Sequence, residues 1–209
     1  MAERAHPDDP GFQDRWFGLV KSRYRKKLFE RYRFCLSYIQ GKNRVLDVPS
    51  GVGWGTSLLK GAKNIIGMDI SQEAIDLANK RYRCSGCEFI QGDMKSLPFP
   101  NSYFEVLICL EGFEHVSVST GRQFLREAQR VLVSGGILLM TCPVLDDLGR
   151  STGNPYHIHE YQETELIDLV NSFFRILSLE RIAGPDGPEY KMVLVNMASQ
   201  SNNNIPEKP

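Results

Sequence analysis

The sequence predicts a doubly wound α/β domain with a mostly parallel seven-stranded sheet, a C-terminal antiparallel hairpin and an N-terminal helical cap. Three observations carry this. Short apolar runs alternate with amphipathic segments along most of the chain, the first run leads straight into a glycine-rich turn, and the first three runs end at Asp47, Asp69 and Asp93. Such alternation implies parallel strands joined by crossovers, with helices covering both faces of the sheet.

Length and composition set the frame. At 209 residues the chain has room for one domain with a sizeable core. Lys plus Arg and Asp plus Glu number 25 each, so overall charge selects neither polyanions nor any other partner. Five cysteines, an odd number, include Cys109 and Cys142 in apolar strand-like runs, which favours a reducing compartment. The start M-A-E-R-A-H-P-D-D-P has no apolar h-region and no window reaches the length of a membrane span. A cytoplasmic protein is expected, with one domain over residues 12–197, a cap over 12–41, and disordered segments at 1–11 and 198–209.

Each element has its own signal. From Asp14 to Gln40, Trp16, Val20, Tyr24, Leu28, Tyr32, Cys35 and Ile39 recur at helical spacing, and Gly41 suits the C-cap. Arg44 to Leu59 reads as a buried strand, a glycine turn and the first turns of a helix. Asn64 to Asp69 is a second strand, and Ser71 caps a helix over Gln72 to Arg83. Glu88 to Gln91 and Tyr103 to Leu110 are strands three and four, Gly121 to Val133 a helix, and Gly136 to Cys142 strand five. The polar stretch Pro143 to Glu163 is a long loop of the functional kind. Thr164 to Ser172 is a short helix, and Phe174 to Ile182 with Tyr190 to Asn196 form the hairpin.

The acids point to a ligand. In an open parallel sheet ligands bind beyond the carboxyl ends of the strands where strand order reverses. Asp69 follows the glycine turn by the offset at which an acid meets ribose hydroxyls, so the ligand contains a nucleoside. The spacing Gly51-Val52-Gly53-Trp54-Gly55 is not the G-x-G-x-x-G of a pyrophosphate site, and Asp47 just before it would repel a pyrophosphate. A ligand with an amino group and a sulfonium, S-adenosyl-L-methionine, suits this charge.

The runs V-L-D-V-P-S-G-V-G-W-G, I-I-G-M-D-I-S, F-I-Q-G-D-M, F-E-V-L-I-C-L-E-G-F-E-H-V and L-R-E-A-Q-R-V-L-V-S-G-G-I-L-L-M-T together resemble those of the class I S-adenosylmethionine-dependent methyltransferases, over roughly Arg44 to Phe174. The resemblance implies the Rossmann-like methyltransferase fold. It also implies that Gly51 and Gly53 approach the methionine part of the cofactor and that Asp69 with Ile70 holds the ribose. Asp93 with Met94 would contact the adenine, and Leu110 and Glu111 would lie beside the cofactor. Pro49 departs from the family, many of whose members carry the first glycine of the turn there; proline removes an amide donor, so other amides must serve.

The reaction implied is in-line attack by a nucleophile on the sulfonium methyl. The stretch after strand four lacks the D/N-P-P-Y/F run of enzymes that methylate amino groups and offers Glu111, Glu114 and His115 instead. A carboxylate or imidazole there can take a proton from a hydroxyl, which favours O-methylation of a small hydroxylated molecule. The run Asn154-Pro155-Tyr156-His157-Ile158-His159-Glu160-Tyr161 is similar to one found after strand five in methyltransferases of bacterial sugar and cell-surface polysaccharide synthesis, which makes a sugar the expected acceptor and His157 a candidate catalytic residue. No metal is expected, since no further ligand cluster accompanies these histidines and Cys84-Ser85-Gly86-Cys87 has no second pair. The basic residues Lys21, Arg23, Arg25, Lys26, Lys27, Arg31 and Arg33 are read as a solvated helix face rather than a nucleic-acid surface. An RNA methyltransferase using that helix, or a non-catalytic cofactor-binding partner subunit, remain the alternatives.

Overall fold

The computed structural model describes residues 18–183 and 187–197. The expected disordered ends, 1–11 and 198–209, lie outside the described residues, as do Asp14 to Phe17 of the expected cap helix. Among the described residues no helix is long and apolar enough to cross a membrane.

Seven strands form one sheet: β1 (Arg44–Asp47), β2 (Asn64–Asp69), β3 (Cys87–Gln91), β4 (Phe104–Leu110), β5 (Leu132–Pro143), β6 (Arg175–Ala183) and β7 (Pro188–Val195). Their order is β3-β2-β1-β4-β5-β7-β6. The first five run parallel, with Leu46 beside Ile66 on one side and Leu107 on the other, and β7 enters antiparallel between β5 and β6. This is the doubly wound sheet with a C-terminal hairpin that the sequence predicts. The chain works outward from β1 to β3 and returns to β4 beside β1, so the reversal opens a crevice beyond the carboxyl ends of β1 and β4.

Alternation along the central strands splits the core. Leu46, Leu107, Cys109, Leu138 and Met140 face one layer, packed with α3 (Val118–Val131) and α4 (Glu163–Asn171). Val45, Val106, Ile108 and Leu139 face the other, where Cys35 and Ile39 of α1 (Gly18–Ile39) cover them. Strands buried on both faces need apolar residues at odd and even positions alike, which is why these runs lack a polar stripe. The helix α2 (Gln72–Tyr82) covers β2 and β3 through Ile75 and Ala78.

Several boundaries move, strand five among them, which begins at Leu132 rather than Gly136, and two shifts have a plain local reason. Ser117 accepts a hydrogen bond from the Thr120 amide at 3.2 Å, so α3 starts at Val118 rather than Gly121. The helix expected after the glycine turn is reduced to a 3₁₀ turn over Thr56–Leu58, after which Leu59 is already extended. Only five residues separate Leu58 from β2, and Gly61, at φ +107°, turns the chain directly into that strand.

Candidate active site

The glycine turn is fastened to the end of β2. The Gly51 amide donates to Asp69 Oδ2 at 2.9 Å, and Asp69 Oδ1 accepts from the Ser71 amide at 2.9 Å. The Ser50 amide donates to the Met68 carbonyl at 2.9 Å, so both amides that follow Pro49 are used to fasten the turn to the end of β2. Gly51, at φ +52°, has nothing within 4 Å of where a Cβ would stand, and it lines the crevice. Gly53 does not: a Cβ there would stand 2.6 Å from Ala78 Cβ and 2.7 Å from the Phe89 ring, so this glycine lets the turn press against α2 and β3.

Asp47 also sits behind the wall rather than in it. Fully buried, its Oδ2 accepts from Thr56 Oγ1 at 2.6 Å and from the Tyr32 hydroxyl at 3.3 Å. Burial pushes its carboxyl up to about 7, against the pull of those two hydrogen bonds and with a further push from Asp69. Asp47, expected from the sequence to face the cofactor, is therefore not among the residues that line the crevice.

Ile70, Asp93, Met94 and Leu110 all line the crevice, with Ile70 exposed and Met94 and Leu110 buried. Its volume is about 910 Å³, within the span of small-molecule sites.

Helix α1 closes one side, and here the solvated-face reading fails for two residues. Arg31 is only 7% exposed and reaches inward, its Nη2 2.5 Å from Glu111 Oε2 and 2.7 Å from Glu189 Oε2, while Lys27 also pairs with Glu189. Glu111, in the left-handed region at φ +51°, is tied further by Thr141 Oγ1, which donates to its Oε1 at 2.9 Å. Burial raises the Glu111 carboxyl and Arg31 draws it back. Side chains before Lys26, including those of Lys21, Arg23 and Arg25, lie outside the described residues.

Beyond Glu111 the chain and the long loop after β5 meet. The Glu114 carbonyl accepts from the amides of Ile158 at 2.9 Å and His159 at 3.2 Å, which docks the loop against the end of β4. His115 and His157 thereby come edge to face with ring centroids 5.1 Å apart. His115 Nδ1 donates to the Tyr156 carbonyl at 3.0 Å, and His157 Nδ1 faces Glu160 Oε1 at 2.6 Å. Glu114 is fully buried, and burial followed by the nearby Glu111 pushes its carboxyl well above the usual range. His159 turns away to Glu165 and the Tyr161 ring, as residues two apart on this bent loop diverge.

Comparison with known proteins places this geometry. Residues 46–140 match a family model described as a methyltransferase domain. A Mycolicibacterium smegmatis protein named "Probable S-adenosylmethionine-dependent methyltransferase" is 28% identical over 74% of this chain and 60% of its own length. The fatty-acid O-methyltransferase of the same organism is 35% identical over 49% of this chain and 38% of its own. Residues 46–140 of the chain are thus similar to the methyltransferase-domain family. In fold the chain is also similar to the N-methyltransferase NodS of Bradyrhizobium japonicum, solved with S-adenosyl-L-homocysteine, with a TM-score of 0.69, 18% identity and coverage of 90% and 92% of the two chains. The matched part spans 60% or less of the two curated relatives.

The sequence hid part of the site. Lys27, Arg31, Tyr32 and Glu189 line the crevice. The signal for Arg31 and Lys27 lay in the helix itself: Lys27, Leu28, Arg31, Tyr32 and Cys35 share one face at i, i+4 spacing, so the two cations ride on the buried side.

Proposed function

We propose that this chain transfers the methyl group of S-adenosylmethionine to a hydroxyl oxygen of a small acceptor, a sugar or related metabolite. The observation that carries the reading is the single crevice at the β1–β4 reversal, which joins the Gly51–Asp69 turn and the apolar Met94 and Leu110 to a cluster of basic and acidic groups at Glu111, Glu114, His115 and His157. Asp69, which lines the crevice, holds the ribose with Ile70 beside it, and Asp93 with Met94 flanks the adenine. Gly51 lets the methionine part approach, while Asp47 and Gly53 shape the turn from behind.

The acceptor oxygen forms its bond to the methyl carbon as the carbon–sulfur bond breaks, the electron pair stays on sulfur, and the hydroxyl proton passes to the basic cluster of His115 and His157. Glu111, clamped by Arg31 and Thr141, positions rather than accepts a proton. Much of the rate comes from alignment of the acceptor oxygen with the methyl carbon. The test is a screen of sugars, fatty acids and small phenols with isotopically labelled methyl donor: label on a hydroxylated small molecule supports the reading, and transfer to RNA alone contradicts it.

A further inference from the structure

We infer that Glu114, His115 and His157 form a binding site for one divalent first-row transition-metal ion on the acceptor side of the crevice. One donor atom of each residue lies within 4.8 Å of the others. Such an ion, with bonds of about 2.0–2.2 Å, keeps its donors up to roughly 4 Å apart, so small side-chain rotations suffice to close the set.

Both imidazoles are held as ligands are. A metal-bound histidine gives its second ring N–H to a carbonyl or carboxylate, which fixes the ring and leaves the other nitrogen its lone pair. His115 Nδ1 has the Tyr156 carbonyl at 3.0 Å, and His157 Nδ1 has Glu160 at 2.6 Å. Glu160 is fixed in turn by the Thr152 hydroxyl and by the Thr152 amide at 2.8 Å. The Asn154 amide donates to His157 Nε2 at 3.1 Å, which shows that this nitrogen is the acceptor; the ion takes that lone pair and Asn154 turns aside.

Glu114 supplies the independent sign of a ligand. It is fully buried, and neither carboxyl oxygen has a hydrogen-bond partner among the described residues. Its nearest cationic candidate, His115 Nε2, stands 3.8 Å from Oε1, too far for a hydrogen bond. A buried carboxyl so placed needs a proton or a cation, and two imidazoles beside it favour the cation. Two nitrogen donors and one carboxylate with open positions suit manganese, iron, cobalt, nickel or zinc, whereas magnesium and calcium take oxygen ligands.

The ion's role, though not its binding, rests on the proposed methyl transfer. All three ligands line the crevice, so an acceptor hydroxyl can complete the coordination and give its proton to solvent at lower pH. The oxygen is then held for attack on the methyl carbon as the carbon–sulfur bond breaks. With the ion bound the imidazoles act through it, and they take the hydroxyl proton directly, as in the proposed transfer, only in its absence.

The tag-free full chain, stripped with chelator, is titrated with Co2+ by calorimetry and visible absorption, and separately with S-adenosylhomocysteine. One Co2+ per chain is expected, bound at least tenfold more weakly by Glu114→Gln and by His157→Asn, and about 10–100-fold more weakly by Glu160→Gln. Glu114→Gln keeps the shape and removes a buried acid, and circular dichroism verifies the fold of each variant. No saturable Co2+ binding by the folded wild type, or binding unchanged in either ligand variant, overturns the site. S-adenosylhomocysteine bound without Co2+ overturns the metal alone; Co2+ bound without S-adenosylhomocysteine overturns the cofactor reading and leaves the metal standing.

Discussion

Arg31 Nη2 lies 2.5 Å from Glu111 Oε2, tying the cap helix α1 to the residue that follows β4. The same nitrogen holds Glu189 at the start of β7, so one guanidinium joins three separate parts of the chain at the crevice.

Replacing Arg31 by Met leaves Glu111 and the buried Glu189 short of a counter-charge. The expected loss is about 3 kcal/mol or more in denaturant unfolding, because breaking a buried pair strands the partner. Adding Glu111→Gln and Glu189→Gln to the Arg31→Met chain should restore most of it. A loss that the two glutamines do not repair would assign the effect to packing of the arginine stem instead.

The cap is also where the sequence was least legible. Periodicity gave α1 and placed Leu28, Cys35 and Ile39 inward; all three are buried, Cys35 and Ile39 against the sheet and Leu28 at the crevice. It could not say that Arg31 and Lys27 point the same way, since a charge on a helix is read as solvated unless its partner is known, and Glu189 lies 158 positions away. The sheet was legible because burial on both faces writes itself into β1, β2 and β4 as unbroken apolar runs. The meeting of Glu114 with His157 was not, because it depends on how the loop after β5 folds back onto the end of β4 through backbone hydrogen bonds that no side chain announces.

Asp47 sets a pH dependence of stability. Its carboxyl titrates near 3.8 when unfolded and about 7 when folded. The folded chain therefore binds the extra proton between those values, and this group's contribution to stability falls as pH rises from about 4 to about 7. Three pKa steps at 1.36 kcal/mol each set the total at about 4 kcal/mol. Asp47→Asn should flatten that part of the stability–pH curve and unfold at higher denaturant than wild type at pH 8. Glu111 and Glu114 shift the same way and remain in both proteins, so the difference between the two curves isolates Asp47. Parallel curves would contradict the buried, proton-sharing position of this residue.

Gly51 and Gly53 separate binding from folding. Both have positive φ, so alanine at either costs about 1–2 kcal/mol of backbone strain. At Gly53 the new methyl also runs into Ala78 and Phe89, adding roughly 1–3 kcal/mol. At Gly51 it meets nothing and projects toward the crevice. Gly53→Ala should thus lower the melting temperature clearly more than Gly51→Ala, while Gly51→Ala should weaken cofactor binding more than its stability loss explains. Equal effects of the two alanines on both measurements would contradict the distinction.

The central claim is that the crevice at the Gly51–Asp69 turn holds the cofactor. Titration of the folded chain with S-adenosylhomocysteine in a calorimeter, wild type against Asp69→Ala, tests it most directly. Charge-assisted hydrogen bonds contribute about 1.5–3 kcal/mol each, so loss of this carboxylate should weaken binding about 10–100-fold from a one-to-one site. Equal affinity in the two proteins, with Asp69→Ala still folded, would contradict it.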